Sequence, residues 1–197
     1  MNTAARRLLC SDLMSLEQYA REREAFRARV LEHKRARCVA VGPNLTWVFE
    51  DRLTIQYQVQ EMLRIERIFE PEGIQEELDA YNPLIPDGGN LKATMMIEFP
   101  DPGERAAALA MLRGIERGCT LAIDGSEPIT AIADEDLERE NAEKTSAVHW
   151  LRFELPPVVR AAIKGGAAVT AAVSHPQYRH HARLSSATVA SLARDLD

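Results

Sequence analysis

The sequence predicts an α+β protein in which long N-terminal helices and a β-hairpin pack against a mixed β-sheet with two β-α-β units. Helical periodicity dominates the first 90 residues, and β-prone runs alternate with proline-opened helices in the rest. The 197 residues carry 24 basic and 30 acidic side chains, a net charge of −6. This acidic balance disfavours a general nucleic-acid-binding protein, and the length fits one domain or one domain with a helical extension.

Residues 1–90 form the predicted helical N-terminal region. Ser15, followed three residues later by Gln18, is a capping-box signal for the start of a helix. Two β-prone runs flank the turn sequence Gly42-Pro43-Asn44 and predict a hairpin. The expected elements are a helix, two hairpin strands, a second long helix and a short third helix, at residues 16–37, 38–41, 45–49, 53–69 and 74–81.

Residues 91–197 form the predicted α+β sheet region, which we expect to be compact with the first. The turn-rich stretch 82–90 separates the two. Two strand–helix–strand runs follow, with helices opened by Pro102 and by Pro156-Pro157. They predict one sheet with helices packed on it. The acidic stretch 134–144 between them is interpreted as a solvated surface, with a protein-docking patch as the alternative.

Charged side chains interrupt the apolar faces of both long helices. Arg23 and Arg27 lie among the apolar residues of the first helix, and Glu66 lies within the apolar face of the second. Buried charges pair, bind a ligand or shift their pKa. A structural ion-pair network and an anion-binding or acid–base site are both open at this point. The candidate site also includes a group of neighbouring polar residues, namely Glu61, Arg64, Tyr81 and Asn82.

Metal and cofactor signals are sparse. His149 and His175 lie on predicted strands and would be the ligands in a metal-binding interpretation, together with Glu61 or Glu66. The long helices lack the Glu-x-x-His spacing of di-iron bundles, and no phosphate-loop motif is present. We therefore predict no cofactor and leave a metal open. The three cysteines are widely spaced, which favours reduced thiols in the cytoplasm, and no apolar run is long enough to span a membrane.

Several long strings carry a family resemblance: GPNLT and FEDR within residues 42–52, QVQEMLRIE at 58–66, EELDAYNPLIPDG at 76–88, KTSAVH at 144–149 and HPQY at 175–178. With them the chain resembles the bacterial family called domain of unknown function 3501, from about residue 16 to residue 178. Members are often encoded beside rubrerythrin-like di-iron proteins and iron–sulfur oxidoreductases. The resemblance implies an accessory role in a redox or peroxide-handling system, and it implies no catalytic residues.

The sequence therefore leaves three functions open. The first is a non-catalytic, cytoplasmic accessory or binding protein that partners a rubrerythrin-like or iron–sulfur protein. The second is a small enzyme or metal-binding protein that uses buried carboxylate and histidine side chains. The third is a structural homo-oligomer, and we expect self-association in any case. Neither nucleic acid nor a membrane is an expected partner.

Overall fold

The computed structural model describes residues 7–133 and 143–197. Within them, α-helices and two antiparallel sheets form an α+β fold, which confirms the predicted class. The helices are α1 Leu16–Lys34, α2 Arg52–Glu66, α3 Pro71–Tyr81, α4 Pro102–Met111, α5 Pro157–Lys164 and α6 Ser186–Ala193. The strands are β1 Cys38–Ala40, β2 Leu45–Phe49, β3 Asn90–Ile97, β4 Cys119–Ile123, β5 Ile129–Thr130, β6 Ile132–Ala133, β7 Val148–Glu154, β8 Val169–His175 and β9 Tyr178–Arg183.

Side-chain caps fix where the two long helices begin. The Ser15 hydroxyl accepts a hydrogen bond from the Gln18 amide at 3.2 Å, as the capping-box signal predicts. Asp51 caps α2 by accepting from the Thr54 amide at 3.0 Å. Helix α2 ends at Glu66 because Arg67 adopts a left-handed conformation with φ 57°. It therefore stops short of the predicted end, and Phe69 lies outside it with 68% of its surface exposed.

The five-stranded sheet has the order β1-β2-β3-β7-β6 and contains the predicted hairpin. Strand β2 pairs with β3, so strands from the two predicted regions share one sheet. Gly42 in the hairpin turn has φ +85°, and a Cβ there would lie 2.5 Å from the Tyr178 hydroxyl oxygen. That hydroxyl donates to the Val41 carbonyl and accepts from the Asn44 amide. Strand β9 thereby clamps the hairpin turn.

The strand–helix–strand order of both predicted units is present, but their strands lie in different sheets. Strands β3 and β7 belong to the five-stranded sheet, whereas β4 and β8 belong to a four-stranded sheet of order β5-β4-β8-β9. Every strand pairing in the described residues is antiparallel, so the expectation of one mixed sheet was wrong. Helices α4 and α5 each carry the chain from one sheet to the other, which prevents the two strands of a unit from pairing with each other.

The main core contains inward-facing residues of both sheets, such as Trp47 and Phe153 of one and Leu121 and Val169 of the other. The N-terminal helices have smaller clusters of their own, because α2 is buried on two sides. Its Ile55, Val59 and Leu63 pack towards α3, while Leu53 and Tyr57 pack against α1. Most of the acidic stretch 134–144 lies outside the described residues. No described helix has the length and apolarity needed to cross a bilayer.

Candidate functional site

The charged side chains of α1 and α2 meet at Glu61. Arg23 of α1 binds this carboxylate in a bidentate manner, with Nε and Nη2 each 2.8 Å from a different oxygen. Buried Tyr19 donates its hydroxyl to Glu61 at 2.6 Å, and Arg64 approaches from the next turn of α2 at 3.3 Å. Hydrogen bonding from Arg23 is the main cause that lowers the pKa of Glu61 to about 2, while partial burial opposes it.

This cluster differs from the one expected from the sequence. Glu66 and Arg27 are both exposed, so the expectation that they contribute buried charge was wrong. The reason is geometric: α1 packs on the side of α2 that carries Tyr57 and Glu61, and Glu66 is the last residue of that helix. Arg23, Glu61 and Arg64 are brought together. Both carboxylate oxygens of Glu61 are occupied by donors, so the cluster acts as a bridge that holds α1 against α2.

A second charged cluster is centred on Arg37, which is only 1% exposed and was not singled out from the sequence. Its guanidinium donates to the backbone carbonyls of Phe49 and Glu50 at 2.7 and 3.0 Å. It also contacts the carboxylates of Asp51 and Asp195. Burial opposes the ionisation of Asp51, yet the charge of Arg37 and the Thr54 amide keep its pKa below the ordinary value. Arg37 therefore ties the strand–helix junction to the C-terminal helix region.

A cavity of about 330 Å³ lies between the C-terminal end of α3 and the outer face of β3 and β7. Its apolar lining comes from α3, from the turn after it and from the two strands, namely Ala80, Pro83, Leu84, Ala93, Trp150 and Leu151. Its polar lining is a small set of mostly charged residues, namely Glu50, Asp79, Lys92, Thr94 and Arg152. A mainly apolar cavity with a few convergent polar groups is the usual form of a small-molecule site.

Glu50 is the most buried charged residue of this cavity, with 8% of its surface exposed. It directly follows β2, and its amide donates to the Lys92 carbonyl, which extends the pairing with β3. One carboxylate oxygen accepts a hydrogen bond from the Thr94 hydroxyl at 2.7 Å, and the other accepts from the Thr54 hydroxyl. Two consecutive acidic residues at the junction between β2 and α2 therefore have different roles: Glu50 lines the cavity, and Asp51 caps α2.

The loop that the sequence placed in the candidate site borders this cavity. Tyr81 packs against Trp150 with ring centroids 6.4 Å apart, and the following residues Pro83 and Leu84 line the cavity. Asn82 has a different role, because its side chain is buried and makes a pair of hydrogen bonds to the backbone of Leu8 at 2.7 and 3.0 Å. Asn82 thus secures the N-terminal segment.

The two candidate metal-binding histidines lie on strands of different sheets and contact different protein groups. His149 is fully buried, and its Nε2 lies 2.9 Å from the Thr145 hydroxyl oxygen and 3.1 Å from the Ser146 carbonyl. His175 Nε2 lies 3.0 Å from the Arg113 carbonyl, and its Nδ1 accepts from the Gln177 amide. Within residues 7–133 and 143–197, no group of three His, Cys, Asp or Glu side chains has the arrangement of a metal site.

The chain is similar in sequence and in structure to known proteins. The family described as "Protein of unknown function (DUF3501)" matches residues 7–196. The chain belongs to this family. A crystal structure of a novel protein of unknown function from Burkholderia pseudomallei K96243 is similar to this DUF3501 protein, with 52% identity and a TM-score of 0.92. The similarity covers 96% of this chain and 99% of that one. No curated protein matches the chain.

Sequence reasoning missed two charged residues of this DUF3501 protein, namely Glu50 in the cavity wall and Arg37 at the centre of the buried charged cluster. A signal for Glu50 existed: two acidic residues follow the β-prone run 45–49, and only one of them is needed to cap the next helix. Arg37 gave no such signal, because its partners Ser191 and Asp195 are more than 150 positions away along the chain. Helical periodicity cannot reveal a contact of that separation.

Proposed function

We propose that this DUF3501 protein is a non-catalytic binding protein whose ligand occupies the cavity lined by Glu50 and Trp150. The observation that carries the proposal is a buried carboxylate at the wall of a mostly apolar cavity of about 330 Å³. Apolar walls supply affinity through burial, and the few polar groups orient the ligand. Among the described residues, the cavity lining contains no histidine and no cysteine.

A screen of small fragments by ligand-observed NMR tests this proposal with a pair of matched variants. Ala80 lines the cavity on α3, and Ala80→Trp should fill its mouth. Glu76→Trp places the same bulk one turn earlier on the same helix, at an exposed residue that does not line the cavity. We expect hits that bind the wild type and Glu76→Trp but not Ala80→Trp. A hit list that both variants retain equally would overturn the cavity as the ligand site.

The cellular setting that we propose is an accessory role in a cytoplasmic redox or peroxide-handling system, with a rubrerythrin-like or iron–sulfur protein as partner. Two points support it: the genomic association implied by the family resemblance, and the free thiols of all three cysteines. Mixing the purified protein with a purified rubrerythrin-like protein from the same genome tests this setting. Light scattering during size-exclusion chromatography should show a stable complex, and two separate peaks at micromolar concentration would contradict it.

A homo-oligomer is the second candidate. The observation that favours it is the exposure of three large apolar side chains, Leu9, Ile65 and Phe69, each more than half exposed. Sedimentation velocity over a hundredfold concentration range tests self-association directly. A sedimentation coefficient that rises with concentration supports the oligomer, and a monomer at every concentration removes this candidate.

A further inference from the structure

The charged side chains around the proposed ligand cavity differ in the partners that they contact. Lys92 donates its ammonium group to the backbone carbonyls of Pro83 and Ile85 at 2.6 and 3.0 Å. Arg152 donates to the carboxylate of Glu154 on the same strand. Both cations of the lining therefore already contact oxygen acceptors, which reduces what they can offer to an anionic ligand.

Glu50 is in the opposite situation. Its carboxylate accepts only from the hydroxyls of Thr54 and Thr94, and no described lysine, arginine or histidine forms an ion pair with it. The guanidinium of Arg37 contacts the backbone carbonyl of Glu50, and its charge is matched by carboxylates elsewhere in that cluster. Hydroxyl dipoles stabilise a buried carboxylate without neutralising it, so Glu50 keeps a negative charge with no ion-pair partner among the described residues.

The remaining lining suits a cation with an apolar body. Trp150 supplies an apolar aromatic surface beside Tyr81, against which a hydrocarbon or aromatic body can pack. Asp79, exposed on α3, adds a second acidic group to the lining. Resting on the function proposed above, we propose that the cavity binds a small organic amine in its protonated form, with the ammonium group on Glu50 and the apolar body against Trp150.

Three probes of matched shape test the charge preference: 2-phenylethylammonium, 2-phenylethanol and phenylacetate. Calorimetric titration of the wild-type protein should give the cation at least tenfold tighter binding than the alcohol, with the anion weakest. Glu50→Gln keeps the size of the side chain and removes its charge. We expect this variant to bind the cation at least tenfold more weakly and the alcohol within about twofold of the wild type.

Glu76→Gln is the matched control, because it removes one acidic charge from the exposed surface of α3 and should leave all three affinities unchanged. Asp79→Asn gives a second test on an exposed residue, with an expected twofold to fivefold loss for the cation. If the alcohol or the anion binds as tightly as the cation, the amine preference is wrong while the cavity remains a ligand site. If no probe binds, the amine inference is overturned, and the Ala80→Trp screen decides the proposed function independently.

Discussion

The Thr94 hydroxyl donates a hydrogen bond to the Glu50 carboxylate at 2.7 Å, across the outer face of the five-stranded sheet. This contact holds a buried acid at the wall of a cavity without supplying a positive charge. The contrast with Glu61 is informative, because two arginines contact that carboxylate. Glu61 is held in an ion-pair cluster, whereas Glu50 has no ion-pair partner among the described residues.

The two acids should therefore respond oppositely to neutralisation. Glu61→Gln removes the partner of Arg23 and should lower the free energy of unfolding by about 1–2 kcal/mol. Glu50→Gln removes a buried charge that has no cation partner within residues 7–133 and 143–197, so the free energy of unfolding should stay level or rise by up to about 1 kcal/mol. Urea denaturation at pH 7 measures both. A larger loss for Glu50→Gln than for Glu61→Gln would contradict the assignment of roles.

The pH dependence of stability should carry the signature of Glu61. Its pKa is lowered in the folded protein from an ordinary value of 4.5 to about 2. A carboxyl group with a lowered folded-state pKa binds protons more readily when unfolded, so its stabilisation is complete above pH 4.5 and is lost as the pH falls towards 2. The stability difference between wild type and Glu61→Gln should shrink across that window. Glu66→Gln, at an exposed position, should change stability by less than about 0.5 kcal/mol at any pH.

Arg37 should be among the most sensitive positions of the fold. Arg37→Met leaves the carboxylates of Asp51 and Asp195 without their buried cation, and we expect a loss of about 3–5 kcal/mol in unfolding free energy. Arg35→Met is the control, since the Arg35 side chain makes an exposed ion pair with Glu32, three positions earlier in the chain. Guanidinium denaturation followed by circular dichroism measures both variants. A cost below about 1 kcal/mol for Arg37→Met would show that the cluster is not a structural centre.

The hairpin turn offers a steric test with an internal control. Gly42 and Gly125 have nearly the same positive φ, +85° and +82°. An alanine Cβ at residue 42 would meet the Tyr178 and His180 side chains, whereas nothing lies within 4 Å of one at residue 125. Both Gly→Ala variants should lose about 1 kcal/mol of stability, because alanine disfavours a positive φ. Gly42→Ala should lose more, because its Cβ also meets neighbouring side chains. If both variants lose the same stability in thermal denaturation, the Tyr178 side chain can move aside without cost.

Local signals in the sequence predicted local structure. Ser15 and Gln18 predicted the start of α1, and the Gly42-Pro43-Asn44 turn predicted the hairpin, because caps and turns depend on residues a few positions apart. Which sheet each strand joins depends on whether α4 and α5 lead back to the same sheet or across to the other one. No local sequence pattern encodes that choice. The pairing of Arg23 with Glu61 instead of Glu66 depends on which side of α2 faces α1. Periodicity placed charges on both helices but could not choose between the two sides.

The most direct measurement of the central claim is a ¹H–¹⁵N NMR titration with 2-phenylethylammonium, read at the two tryptophan indole signals. Trp150 lines the cavity, and Trp47 is fully buried in the core between the sheets. We expect a saturable shift of the Trp150 signal, no shift of the Trp47 signal, and a Trp150 response in Glu50→Gln that needs at least tenfold more amine. A Trp150 signal that stays fixed at saturating amine, or an unchanged response in Glu50→Gln, would contradict this expectation.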